Sequence, residues 1–156
     1  MQKIDTKDLT LLALMTGLSL VLGLIHVPTP TGFLTLLDTG IFFTSFLLGS
    51  RRGAIVGGLS AFLLDLYLGY PQYMVFSLLA HGAQGYFAGW QGKGRLLGLL
   101  LASVIMIVVY ILAAFALGYG WGGAIAGIWG NFCQNTLGLV LGFSFYRAFT
   151  RVFPRR

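Results

Sequence analysis

All ten lysines and arginines of the chain fall in every second break between apolar runs, and this alternation restricts the fold more than any other feature. Lys3 and Lys7 precede the first run. Arg51 and Arg52 separate the second from the third, and Lys93 and Arg95 the fourth from the fifth. Arg147, Arg151, Arg155 and Arg156 follow the sixth. The runs lie near 9–26, 34–49, 53–69, 72–90, 96–118 and 123–146. Several approach the roughly 20 apolar residues that carry a helix across a bilayer. The second and third are short, about 16 residues or 24 Å. Six crossings put every cation on one side, which the positive-inside rule makes cytoplasmic. The predicted fold is therefore all-α: one six-helix transmembrane bundle over 1–156, with both ends inside.

The breaks carry ordinary punctuation, with Pro28 and Pro30 after the first run and Gly-rich turns at 69–71 and 118–122. At 57% hydrophobic and 9% charged, the chain has too little charge to cover a soluble domain. The net charge of +6 follows from the basic loops and calls for no nucleic acid. The opening MQKIDTKD leads into no short cleavable apolar segment, so no signal peptide is expected. Cys133 stands alone, and two histidines and one cysteine make a poor metal-ligand set. Gly92-Lys93-Gly94 lacks the spacing and hydroxyl of a phosphate-binding loop. Ser77 and His81, four apart, are the only crude nucleophile–base pair. These absences predict a protein that is not an enzyme and holds no cofactor or metal.

Against this apolar background the run GNFCQNTLG (130–138) places Asn131, Gln134 and Asn135 on one face of the sixth helix. At 1.5 Å per residue, Asn131 and Gln134 lie about 12 and 16 Å below the outer face, with His81 at about 14 Å and Tyr110 at about 12 Å. Gln84 shares a face with His81. Groups at one depth on three helices suggest a polar cavity in the outer half of the membrane, suited to a neutral polar solute. The competing reading is that the amides only tie helices together. Asp38 either caps the second helix or touches ligand, and Asp65 reads as structural. Phe33, Tyr70, Tyr73, Tyr119 and Trp121 form an interfacial belt or line a ligand entrance. Ala13–Gly17, Gly53–Gly57 and Gly138–Gly142 permit close helix approach. Ala13–Gly17 is the pair best suited to an external contact.

Taken in order, PTPTGFLTLLDTGIFF, LLGSRRGAIVGGLSAFLLDLYLGYPQY, HGAQGYFAGW, VVY and GNFCQNTLG resemble the substrate-binding S components of energy-coupling factor (ECF) vitamin transporters. The similarity is to the family with hydroxymethylpyrimidine- and pyridoxine-type members. Relatives often carry Lys where this chain has His81. The resemblance implies a prokaryotic, multi-pass plasma-membrane protein with its ligand site near the outer face under the loop between the first two helices. It implies partners: a transmembrane coupling protein met through Ala13 and Gly17, and two cytoplasmic ATPases. The expected ligand contacts are Asp38, Tyr70, His81, Gln84, Tyr110, Asn131, Gln134 and Asn135. Trp129 is a further stacking candidate, and Val27–Leu37 would be the lid. Other readings are an S component for riboflavin or pantothenate, a stand-alone channel, or an assembly factor.

Overall fold

The computed structural model describes residues 5–29 and 32–154. Lys3, Pro30, Arg155 and Arg156 lie outside them. Six helices follow one another: α1 (Thr6–Gly23), α2 (Leu37–Leu48), α3 (Ser50–Leu68), α4 (Met74–Ala88), α5 (Arg95–Ala116) and α6 (Gly120–Val152). A 3-10 turn (Gly92–Gly94) leads into α5. α1 and the unit Gly92–Ala116 are each long and apolar enough by themselves to cross a membrane.

α2 is the hub. It packs on α1, α3, α4 and α6, and every residue from Leu37 to Leu47 is buried. A helix apolar all round belongs in the middle of a bundle, so 12 residues suffice where about 20 would be needed to face lipid across the whole bilayer. The expected second segment, 34–49, is shortened at its start because residues 34–35 belong to a β-hairpin. β1 (His26–Thr29) pairs antiparallel with β2 (Gly32–Thr35), Val27 opposite Leu34 and Pro28 opposite Phe33. Two strands alone are marginal. This hairpin is held by its neighbours: Phe33 meets Tyr70 edge-on at 5.0 Å, and the Thr35 amide donates to Gln134 Oε1 at 2.8 Å. At the other end of α2, Gly49 adopts φ 84°, a left-handed conformation that lets the chain reverse directly into α3. The sixth helix runs on to Val152, past the expected end at 146.

Basic residues gather at the end opposite the hairpin. Arg52 opens α3 and pairs with Asp8 in the first turn of α1 at 2.7 Å. The Arg95 guanidinium lies over Phe46 and Phe143, 5.1 and 5.6 Å from their ring centres. Two apolar clusters bracket the interior along the bundle axis. Leu37, Ile41, Ala61 and Leu64 lie towards the hairpin, and Phe42, Phe46, Ala88 and Ala102 towards the basic end.

Small residues set the closest helix pair, α3 on α4. A side chain at Gly57 would run into the His81 carbonyl, and one at Gly85 into the Gly53 carbonyl. Gly138 and Gly142 bring α6 equally close to Asp38 and Phe42. These pairs serve internal packing. Ala13 and Gly17 differ: both are exposed, and a Cβ at Gly17 would meet nothing within 4 Å.

Candidate ligand chamber

Between the two apolar clusters lies a buried polar network centred on Asp38, which is 0% exposed. Lipid or protein interior cannot solvate a carboxylate, so its oxygens need donors from the chain itself. Gln134 Nε2 donates to Oδ1 at 3.2 Å and Gln84 Nε2 to Oδ2 at 3.0 Å. His81 Nδ1 lies 3.3 Å from Oδ1 and 2.8 Å from Gln84 Oε1. Both of those neighbours are acceptors, so Nδ1 carries the proton. The other ring nitrogen, Nε2, faces the Tyr110 hydroxyl at 3.2 Å, and Tyr110 meets Ser77 Oγ at 2.8 Å.

Three elements fix His81. The glycine contacts bring α4 against α3, the i, i+3 spacing puts Gln84 on the same face, and Asp38 reaches across from α2. Of the amides that stand out in the sequence, Gln134 is therefore bound to a protein carboxylate, while Asn135 pairs with Ser103 and Met106. Gln134 is committed at both ends of its amide, to Asp38 and to the hairpin. A Gln134→Met change removes that latch, and backbone exchange at Thr35 and its hairpin neighbours is expected to rise at least about tenfold. Hydrogen–deuterium exchange on protein in nanodiscs checks it; unchanged protection would mean the hairpin is held without the glutamine.

Beside this network is a chamber of about 50 Å³. The hairpin covers it with Phe33 and Thr35. α2 contributes Leu37; α3 contributes Ala61, Leu64 and Asp65; Tyr73 just before α4, and Ser77 and His81 within it, form another side; Tyr110, Asn131 and Gln134 complete the wall. Of the expected contacts, His81, Tyr110, Asn131 and Gln134 line this space. Asp38 and Gln84 form the layer behind it. Asn135 sits deeper, accepting from Ser103 at 2.7 Å and donating to Met106 Sδ at 3.4 Å. Tyr70 stands at the rim between Phe33 and Tyr73. Trp129 is 68% exposed and packs on Phe132, away from the chamber: residue 129 falls on the outer face of α6. Asp65, read from the sequence as structural, lines the chamber at 4% exposure near Ser77, with no partner for Oδ2 among the described residues. No signal within α3 itself marked this acid as facing a cavity.

Comparison with known proteins agrees with this architecture. Residues 3–151 match the family model described as "ECF-type riboflavin transporter, S component". The chain is 48% identical over 141 residues to the "Thiamine precursor transporter HmpT" of Lactococcus lactis subsp. cremoris, covering 88% of this chain and 84% of that protein. It is 33% identical over 124 residues to the "Uncharacterized protein in gap 3'region" of Pyrococcus woesei, covering 76% and 82%. The fold superposes with a TM-score of 0.74 on a solved structure titled "Structure and mechanism of the S component of a bacterial ECF transporter", at 23% identity over 96% of this chain and 98% of that one. A helical membrane bundle with a lidded polar chamber, matched along nearly its whole length by that family model, belongs to the S-component family of ECF transporters: it is a substrate-binding transport subunit and not an enzyme.

Proposed function

We propose that this S component captures a single-ring heteroaromatic vitamin precursor, hydroxymethylpyrimidine first and pyridoxine second, in the chamber beneath the hairpin. The observation that carries this reading is the size and lining of that space. It measures about 50 Å³, with aromatic faces at Phe33, Tyr73 and Tyr110 and polar groups at its edges. A single ring makes a smaller demand on so small a space than a three-ring flavin does. Pantothenate, an anion, would meet Asp65 with no lysine or arginine among the residues that line the space. The name of the relative at 48% identity, a thiamine precursor transporter, points the same way; the family model's description names riboflavin instead.

Affinity sets a further demand. Nanomolar binding needs about 12 kcal/mol. Spread over about ten non-hydrogen atoms this is roughly 1.2 kcal/mol per atom, near the ceiling of about 1.5 for small ligands. Such a ligand must be enclosed on all sides with its polar atoms paired, as a lidded chamber allows. Phe42, Phe46, Ala88 and Ala102 close the bundle below the polar network, which argues against a channel. Delivery then requires the whole subunit to reorient in the plasma membrane, its two ends on the cytoplasmic side. The energy comes from two ATPases acting through a transmembrane coupling protein that docks on the exposed Ala13–Gly17 face of α1.

Titration calorimetry tests the ligand. Trp90, Trp121 and Trp129 do not line the chamber, so intrinsic fluorescence is a weak reporter. Purified protein in nanodiscs should bind hydroxymethylpyrimidine below about 1 µM, pyridoxine more weakly and riboflavin not at all. Tight riboflavin binding with no response to either single-ring compound would overturn the reading.

A further inference from the structure

We propose that Asp65, and not Asp38, is the carboxylate that recognises the ligand, accepting an N–H from an amino-substituted six-membered nitrogen heterocycle; this rests on the vitamin-precursor reading above. The bundle buries two acids in its outer half, and their surroundings divide the labour. Asp38 is saturated from within: Gln134 and His81 meet one oxygen, and Gln84 the other. It does not border the chamber. Asp65 does, on the α3 wall, and its Oδ2 is buried without a hydrogen-bond partner among the described residues.

A carboxylate oxygen withdrawn from water and left without a donor is costly, and such atoms are rare in folded proteins. His81 and Ser77, the donors beside it on α4, are engaged elsewhere. Among the described residues no lysine or arginine lines the chamber. The Nδ1 proton of His81 is held between Gln84 and Asp38, and its Nε2 faces Tyr110. Ser77 has one proton and two claimants, Tyr110 and Asp65. That leaves the oxygen open to a donor carried by the occupant. A flat ring resting between Phe33 of the hairpin and Tyr110 of α5 presents its edge to α3, where an exocyclic amino group points at Oδ2. The surplus negative charge of the wall favours such a donor over a hydroxyl, and more so when the ring is protonated.

The experiment compares two probes by calorimetry: 4-amino-5-hydroxymethyl-2-methylpyrimidine, and its analogue with a methyl group in place of the 4-amino group. The two have nearly the same shape and differ in the N–H. The wild-type protein is expected to prefer the amine by about 100-fold or more, because a site built to receive a hydrogen bond rejects the analogue lacking it. In Asp65→Leu the amine should weaken by about that factor while the methyl compound changes less than about threefold, so the preference collapses. Equal affinities in the wild type, or a preference unchanged in Asp65→Leu, overturns the assignment and leaves the function standing. Equal weakening of both probes, the sign of an acid that only ties α3 to α4, overturns it as well. Wild-type protein that binds neither probe overturns the vitamin-precursor reading and this proposal with it. Where Asp65→Leu does not fold, Asp65→Asn takes its place, with a fall of at least about tenfold in the preference expected and an unchanged preference overturning the proposal.

Discussion

Asp38→Leu is expected to remove on the order of 4 kcal/mol of folding stability, the largest loss from any single side chain in the bundle. The leucine itself is welcome at this depth; the damage lies in what it abandons. Gln84 and Gln134 each lose the acceptor for an Nε2 proton, and His81 loses the charge beside Nδ1. All three side chains are at least nine-tenths buried, so water cannot replace the lost partner. Asp38→Asn keeps an acceptor and should lose about half as much. The triple change Asp38→Leu, Gln84→Leu and Gln134→Leu should recover part of the loss, since a polar cluster removed whole leaves nothing unpaired. Thermal unfolding in nanodiscs provides the comparison. A midpoint for Asp38→Leu within about 2 °C of the parent would show that the network carries no stability.

Gly57→Val comes second. A Cβ there would overlap the carbonyl of His81, which is backbone and cannot swing aside like the tip of a side chain. Membrane helices gain little from hydrophobic attraction to each other and rely on close contact, so the clash attacks the main source of cohesion between α3 and α4. A cost of about 3 kcal/mol is expected, with the helices pushed apart. His81 would move with α4 and break its contacts to Asp38 and Tyr110. Ligand affinity should therefore fall with stability. Gly17→Val is the control for folding, since the space beside Gly17 is open. If the two variants unfold at the same temperature, the tight α3–α4 contact is not what holds these helices.

The sequence was legible where one local property decided the outcome. Apolar run length and the placement of ten basic residues gave the six helices, because the bilayer imposes the same demand on each segment separately. The polar depth match worked for a similar reason: rise per residue is fixed, so His81, Tyr110, Asn131 and Gln134 could be levelled by counting. The hairpin escaped because HVPT and GFLT are too short to show an alternation and take their stability from Tyr70 and Gln134, far away in the chain. Trp129 misled for the opposite reason. An aromatic residue beside a polar run looks like a stacking partner, yet its position on the helix turns it to the outside.

What the chain settled alone is therefore the list of spans, the side on which its cations lie, and the level at which its polar groups gather. Each follows from one helix meeting one solvent. Which acid is paired by the protein and which borders the chamber was decided only when six helices met. Asp38 and Asp65 are the same residue type at similar depth, and nothing within either helix distinguishes them. The difference is that two glutamines and a histidine from α4 and α6 converge on Asp38, while Asp65 borders the chamber with one oxygen unpaired among the described residues.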